Sequence, residues 1–282
     1  MDRILLAVDL SYQVYRASAA HPHLTDGHTF TGGLYGFFMT LTKMIRETQA
    51  THLIVCADRK PYLRSKSYPD YKQLRRAKRN DGLLESFLTS MKLVNEVLPA
   101  IGLPIWGVDG FESDDLIAHC ATRYRHRFKR VYAASNDSDL YQLLWIPNFS
   151  IYTKGINQLI TGAKLLEKHQ LTPAQYMLMT ALTGTHNDIA GIVGVGDVTA
   201  KKAVLDPALM RNLRANHADV INRNLKLIQL PHRLLPTSLP LPFGLDVKEF
   251  ERRDLYRCLG KYSIETTSGM VEALEQVNKR HQ

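Results

Sequence analysis

Three short apolar runs, Ile4-Leu5-Leu6-Ala7-Val8, Leu53-Ile54-Val55-Cys56-Ala57 and Val131-Tyr132-Ala133-Ala134, each lead within three residues to an aspartate: Asp9, Asp58 and Asp137. Runs of this length, apolar throughout and bounded by polar residues, predict strands buried on both faces. The intervening segments carry helical spacing. Leu34 to Ile45 is one, and Leu83 to Ile101 is a longer one with Leu84, Phe87, Leu88, Met91, Val94, Val97 and Leu98 on its apolar face. A short strand around Ile105-Trp106, a helix from Ser113 to about Tyr124 and another from about Asp137 continue the alternation. Such alternation predicts an α/β fold, a mainly parallel central sheet flanked by helices. Ser113 is expected to N-cap its helix, with Asp114 and Asp115 in the first turn.

In an open α/β sheet the ligand site lies beyond the carboxyl ends of the strands. Asp9, Asp58, Glu112, Asp114, Asp115, Asp137 and Asp139 are therefore expected to converge. Any one pair of acids at a helix start is ordinarily a cap, but capping does not explain why all of them follow strands. Crowded carboxylates repel at neutral pH unless divalent cations neutralise them. Oxygen ligands with no accompanying His or Cys select Mg²⁺ or Mn²⁺, which points to metal-assisted phosphate chemistry.

The 282-residue chain is 45% hydrophobic, enough for a substantial core, and carries a formal net charge of +9. Between Arg59 and Arg79 nine basic residues face a single acid, Asp70, and Tyr62, Tyr68 and Tyr71 are interleaved with them. A charge run is ordinarily a solvated loop. This one suits a nucleic acid better, since Lys and Arg neutralise phosphates while tyrosines offer faces to unpaired bases. Lys72 and Arg75 are expected nearest the scissile phosphate, and Arg64, Lys66, Arg76, Lys78 and Arg79 along the strand. Cys56, Cys120 and Cys258 read as reduced thiols. No secretory core or membrane-spanning run is present, so a cytoplasmic location is expected.

After Leu171 the pattern changes. Thr172-Pro173 starts a helix that runs through Tyr176, Met179 and Leu182 to Gly184. A glycine-rich turn, Gly191 to Gly196, then leads into another helix carrying Thr199 and Lys201. The turn follows a helix and no strand, which argues against a dinucleotide fingerprint. Its backbone groups at Gly191, Gly194 and Gly196, with Thr199 and Lys201, suit a phosphate backbone, and its carbonyls suit a K⁺ ion. His186 beside Asp188 reads as a surface histidine. Prolines between Leu230 and Leu245 mark a connector, and Leu255, Leu259, Val271 and Leu274 face inward in a helical C-terminal segment. The expected division is a core over 1–170 with a basic arch at about 59–82, a duplex-binding region over 171–229, and a connector with packing helices over 230–282.

Taken in order, Val8-Asp9, Ala57-Asp58, Tyr68-Pro69-Asp70-Tyr71-Lys72, Gly110-Phe111-Glu112-Ser113-Asp114-Asp115, Ser135-Asn136-Asp137-Ser138-Asp139-Leu140 and Gly191-Ile192-Val193-Gly194-Val195-Gly196 resemble the 5′ nuclease family. This family comprises flap endonucleases and 5′→3′ exonucleases of bacteria and phages, including the nuclease domain of bacterial DNA polymerase I. The resemblance covers roughly Leu5 to Leu230 and is strongest to stand-alone phage enzymes. It implies a structure-specific 5′ nuclease acting on branched or flapped DNA, with Asp9, Asp58, Glu112, Asp114, Asp137 and Asp139 around a first metal ion and Asp115 serving either site. It further implies Lys72 and Arg75 in a helical arch, Tyr71 as a base-stacking residue, and Gly191 to Gly196 as a helix-three-turn-helix grip. A monomer is the default. One departure stands out: the family's Gly-Asp-x-x-Asp-Asn motif becomes Gly184-Thr185-His186-Asn187-Asp188, one residue short, leaving Asp188 as the remaining carboxylate for a second ion. A junction-binding protein with weak or lost nuclease activity is the alternative reading, and a ribonuclease with a similar acidic cleft is a further rival.

Overall fold

The computed structural model describes residues 2–73, 81–185, 187–242 and 249–278. Its centre is a five-stranded, wholly parallel sheet of β1 (Ile4–Asp9), β4 (His52–Cys56), β5 (Ile105–Trp106), β6 (Arg130–Ala134) and β7 (Phe149–Tyr152), in the order β5-β4-β1-β6-β7. Side chains alternate across a strand. In β1, Leu6 and Val8 enter one apolar layer while Leu5 and Ala7 enter the other. The first layer is closed by α1 (Leu10–Ala20), α2 (Gly32–Thr48) and α4 (Asp81–Ala100), the second by α5 (Ser113–Arg123) and the turns around it. Register places Asp9 beside Cys56 and Val8 beside Ala134, so the strands that carry the acids end level with one another.

Beyond the sheet, α7 (Pro173–Thr183), α8 (Asp197–Leu205) and α9 (Pro207–Ile228) surround a smaller core of Leu182, Ile192, Ala200, Ala203, Leu213 and Ile221. Thr172 caps α7 in a reciprocal box with Gln175, and Gly184 ends it with φ at 82°. The helices α10 (Arg252–Gly260) and α11 (Ser268–Asn278) seat Leu255, Leu259, Val271 and Leu274 in the first apolar layer.

Several elements differ from expectation. The sequence reading missed β7, the hairpin of β2 (Thr25–Asp26) and β3 (Thr29–Phe30), α3 (Leu63–Ser67) and α6 (Gly162–His169). Glu112, not Ser113, is the N-cap of α5, because the Asp115 carboxylate reaches back to accept from the Glu112 N–H at 3.1 Å. The segment after Asp137 is a 3₁₀ turn, Ser138–Leu143. There the Asp137 carboxylate accepts from the Asp139 N–H at 2.9 Å and fixes the tight start. A two-stranded hairpin, β8 (Gly184–Thr185) with β9 (Ile189–Ala190), lies between α7 and α8 where only a glycine turn was read. Among the described residues of the proline-rich segment none is helical or extended. It is nonetheless anchored through buried Leu235 and Leu241 and through the Leu239 carbonyl, which accepts from the Tyr124 hydroxyl at 2.8 Å.

Gly191 closes that hairpin against α7. A Cβ there would lie 2.3 Å from the Thr183 carbonyl carbon and oxygen, which are backbone atoms with no room to yield. Gly191→Ala is expected to lose about 1–3 kcal/mol of stability by overpacking, read from urea unfolding. An unchanged midpoint would show that the hairpin simply moves aside.

Candidate active site

The carboxyl ends of β1, β4 and β6 and the N-terminus of α5 frame one acidic cleft. Asp9 ends β1 and caps α1; its Oδ1 accepts from the Tyr12 N–H at 3.1 Å and its Oδ2 from the Ser135 hydroxyl at 3.1 Å. Asp58, two residues past β4, accepts from the Ser11 hydroxyl at 2.7 Å and from the Ser113 N–H at 3.0 Å. Across the cleft, Asp114 feels the charges of Asp137, Asp9 and Glu112, and its Oδ1 is buried without a hydrogen-bond partner. Burial, then repulsion from Asp58, pushes the Asp9 carboxyl up to about 7. Burial, then Asp137, does the same for Asp139, and Asp114 lies well above the usual carboxylate range for the same two reasons.

One cation already faces these acids. Lys72, in the left-handed region with φ at 59°, donates its backbone N–H to the Asn187 carbonyl at 3.0 Å and its ammonium to Glu112 Oε1. Burial works against its charge, yet Glu112, Asp114 and Asp58 outweigh that and raise its pKa. Glu112 Oε2 accepts from the Tyr71 hydroxyl at 2.8 Å and from Arg64 at 3.0 Å, so both oxygens of this carboxylate already carry protein donors.

Three expectations are corrected by this arrangement. Asp115 is fully buried and outside the cleft, its oxygens taken by Arg64 at 2.6 and 2.8 Å, by the His232 N–H at 2.7 Å and by the Glu112 N–H. It has no lone pair directed at an ion. Arg64, expected on the nucleic-acid surface, is 4% exposed and also donates to the Leu227 and Gln229 carbonyls, fastening α3 to the end of α9. Tyr71, expected to stack on a base, is buried against Ile189, Leu227 and Ile228.

Lys66 is exposed at the end of α3. Arg75, Arg76, Lys78, Arg79 and His186 lie outside the described residues. Gly194 and Gly196 face open space, Thr199 is exposed in the first turn of α8, and Lys201 donates to Gln170 Oε1 at 3.0 Å. Asp188 sits in the hairpin loop with φ at 62°. Before it, Asn187 is 1% exposed; its Nδ2 donates to Asp139 Oδ2 at 3.3 Å, and its Oδ1 has no partner. Sequence reasoning passed over Asn187, Ser11 and Ser135, since neutral side chains carry no charge signal. Their adjacency to Asp188, Asp9 and Asp137 was the available clue.

Among the described residues no three His, Cys, Asp or Glu side chains form a ready-made ion cage. The acids are instead held by serine hydroxyl, backbone N–H and lysine donors. The donor set is hard oxygen throughout, and Asp114 Oδ1 is a buried acceptor with nothing to accept from, so the residues fit a divalent cation such as Mg²⁺.

Residues 4–170 match the family model of the 5′-3′ exonuclease, N-terminal resolvase-like domain. The chain belongs to this 5′-3′ exonuclease family. It is 30% identical over 265 residues to DNA polymerase I of Mycobacterium tuberculosis, covering 88% of this chain, and 32% identical over 254 residues to the thermostable DNA polymerase I of Thermus thermophilus, covering 86%. The chain spans only 29% and 30% of the length of those relatives. Among solved structures, the 5′-exonuclease of bacteriophage T5 with bound zinc superposes with a TM-score of 0.69 at 20% identity, covering 99% of this chain and 100% of that one. A flap endonuclease of the same phage, solved with DNA and metal ions, gives 0.68 at 20% identity, with 98% and 99% covered. Flap endonuclease-1 from Methanococcus jannaschii gives 0.59 at 14%, with 99% and 92% covered. At these identities the likeness is one of fold. No helix among the described residues of this exonuclease-family chain is long and apolar enough to cross a membrane.

The raised carboxyls make the metal-free fold of this family member sensitive to pH. Asp9 and Asp139 hold protons in the folded state up to about pH 7, whereas the unfolded chain releases them near its ordinary value of 3.8. Stability in EDTA is therefore expected to be full below about pH 4 as far as these two groups are concerned, to fall as pH rises toward 7, and to be lost above it. Melting temperatures between pH 4 and 8, with and without Mg²⁺, test this: a decline in EDTA that is just as steep in saturating Mg²⁺ would mean the ion does not engage these acids.

Proposed function

We propose that the chain is a structure-specific 5′ nuclease, hydrolysing DNA phosphodiesters at single-strand to double-strand junctions of branched or flapped DNA. The observation that carries this reading is the level placement of Asp9, Asp58, Asp114, Asp137 and Asp139 around one cleft, with the Lys72 ammonium at its edge. Those five aspartates would hold Mg²⁺ or Mn²⁺. A bound divalent ion supplies Lewis-acid activation of water and stabilisation of the leaving oxygen.

The protein's own groups do the rest. Ser11 and Ser135 orient Asp58 and Asp9 through their hydroxyls and keep these carboxylates turned toward the cleft. Glu112 acts as the holder of Lys72, presenting the ammonium where the non-bridging oxygens of a phosphate would lie. A cation there is worth most as negative charge develops on the phosphate. Arg75 would join it from the basic arch, with Lys66, Arg76, Lys78 and Arg79 neutralising the threaded strand. The open backbone at Gly194 and Gly196, with Thr199 and Lys201, would hold the duplex, and the turn's carbonyls would accept a K⁺ ion. The T5 flap endonuclease described in complex with DNA and metal ions supports both partners.

A second ion would be served by Asp139 and Asp188, with Thr185 in the place of an aspartate. That shortfall favours the rival reading, a junction binder without turnover. A 5′-flap duplex incubated with Mg²⁺ or Mn²⁺ separates them, since binding without product would reject the nuclease. Lys72→Ala is expected to lower kcat by about 10²–10³ with little change in flap affinity. Equal losses in affinity and turnover would reduce Lys72 to a binding residue.

A further inference from the structure

The amino ends of the strands carry a second basic surface with no part in the acidic cleft. Between Leu116 and Asn136 there is no acidic residue, while Arg123, Arg125, Arg127, Lys129 and Arg130 crowd into eight positions. Arg130 opens β6 and Asp137 lies beyond its other end, so this surface and the cleft are separated by the length of the strand, about 16 Å. Two aromatic rings are set among the charges. The Arg125 guanidinium lies 5.2 Å from the ring centre of Trp145, and that of Arg127 lies 5.8 Å from the ring centre of Tyr124. Trp145 is 56% exposed, a large apolar area for a site with no visible packing role.

The surface is built, not frayed. Asn148, just past Trp145, donates its Nδ2 to the Arg125 carbonyl at 3.0 Å and to the Phe128 carbonyl at 2.9 Å, clamping the tryptophan loop to the turn Arg125–Arg127. Tyr124 is pinned through its hydroxyl to Leu239. Asp2 is engaged by Lys129, and among the described residues no acid is ion-paired with Arg125 or Arg127. A solvated charged face would need neither the exposed indole nor the clamp.

We propose that this surface binds single-stranded nucleic acid, one base stacking on Trp145 while Arg125 and Arg127 neutralise adjoining phosphates. Planar guanidinium groups fit phosphate oxygens, and an indole takes any base without regard to sequence. An acidic protein would use the arginines but leave the indole idle. Unpaired bases are what an exposed ring selects, since in a duplex their faces are already stacked. The inference does not depend on the nuclease reading, because binding here involves none of the cleft acids.

The chain has two tryptophans, and Trp106 is 7% exposed, so a base binding at the surface can stack on and quench Trp145 alone. The full chain is titrated with a 20-nucleotide oligo(dT) in EDTA, which prevents cleavage. Saturable quenching is expected, absent in Trp145→Phe. In the double variant Arg125→Ala/Arg127→Ala the midpoint should weaken several-fold, and the slope of log affinity against log salt should fall by about 1.4, two phosphates at roughly 0.7 each. Absence of quenching in the native chain, an unchanged midpoint and slope in the double variant, or equal quenching by a duplex of the same length would each overturn the proposal.

Discussion

Asp114→Asn is expected to abolish cleavage of a 5′ flap and, in the same protein, to raise the melting temperature measured in EDTA. The two signs have one cause. Asp114 is half-buried, with an Oδ1 that is fully buried and receives no hydrogen bond, and it feels the like charges of Asp137, Asp9 and Glu112. Without a cation this is a cost, since burying an unpaired charge is unfavourable and its neighbours are of like sign. An amide of the same shape removes the repulsion and offers its N–H groups to those neighbours. It also removes a charge on which the proposed ion binding rests. A divalent ion contributes several kcal/mol of transition-state stabilisation, and about 4 kcal/mol corresponds to roughly 10³ in rate. The discriminating result is the pair of readouts: lost activity with a lowered EDTA melting temperature would mark Asp114 as an architectural residue.

Arg64→Met is expected to lose about 3–5 kcal/mol of folding stability, the typical consequence of removing one partner from a buried ion pair. Arg64 is 4% exposed and Asp115 fully buried, so water cannot replace the lost contacts. The substitution also strips donors from the Leu227 and Gln229 carbonyls and from Glu112. Urea unfolding measures the loss directly. Replacing Asp115 as well should restore little, because that carboxylate also accepts from the Glu112 and His232 N–H groups, which would then be orphaned. If Arg64 were instead a nucleic-acid contact, Arg64→Met would fold with native stability and show only a weaker salt dependence of binding.

The contrast between Arg64 and Lys72 shows how far sequence carries in this chain. Strand positions were legible because Leu5 to Val8 and Leu53 to Cys56 are buried on both faces, a pattern that needs no tertiary information. The aspartates at their ends were legible for the same reason. The basic stretch was visible as charge, but charge does not say which way a side chain turns. Lys72 points toward Glu112 at the cleft edge, while Arg64 turns inward to Asp115, whose location inside the fold depends on α9 and His232, far away in the chain. Tyr71 was misread likewise, its ring being covered by Ile189, Leu227 and Ile228 from a distant hairpin and helix. Strand β7 escaped notice because Phe149 to Tyr152 is short and includes Ser150, which lies in the sheet all the same. The basic run Arg123 to Arg130 is visible in the sequence as charge, but its union with Trp145 is not, since the clamp that joins the two is made by Asn148.

One hydrogen bond described above, from the Lys72 N–H to the Asn187 carbonyl, joins the foot of the basic segment to the β8–β9 loop. Gly191, on the other flank of that loop, is wedged against the end of α7. The Lys72 ammonium and the glycine turn thus share a single short mechanical linkage. On the proposed reading, a double strand seated on the helix pair would set, through that linkage, how far along the backbone the cut falls: a ruler one hairpin long.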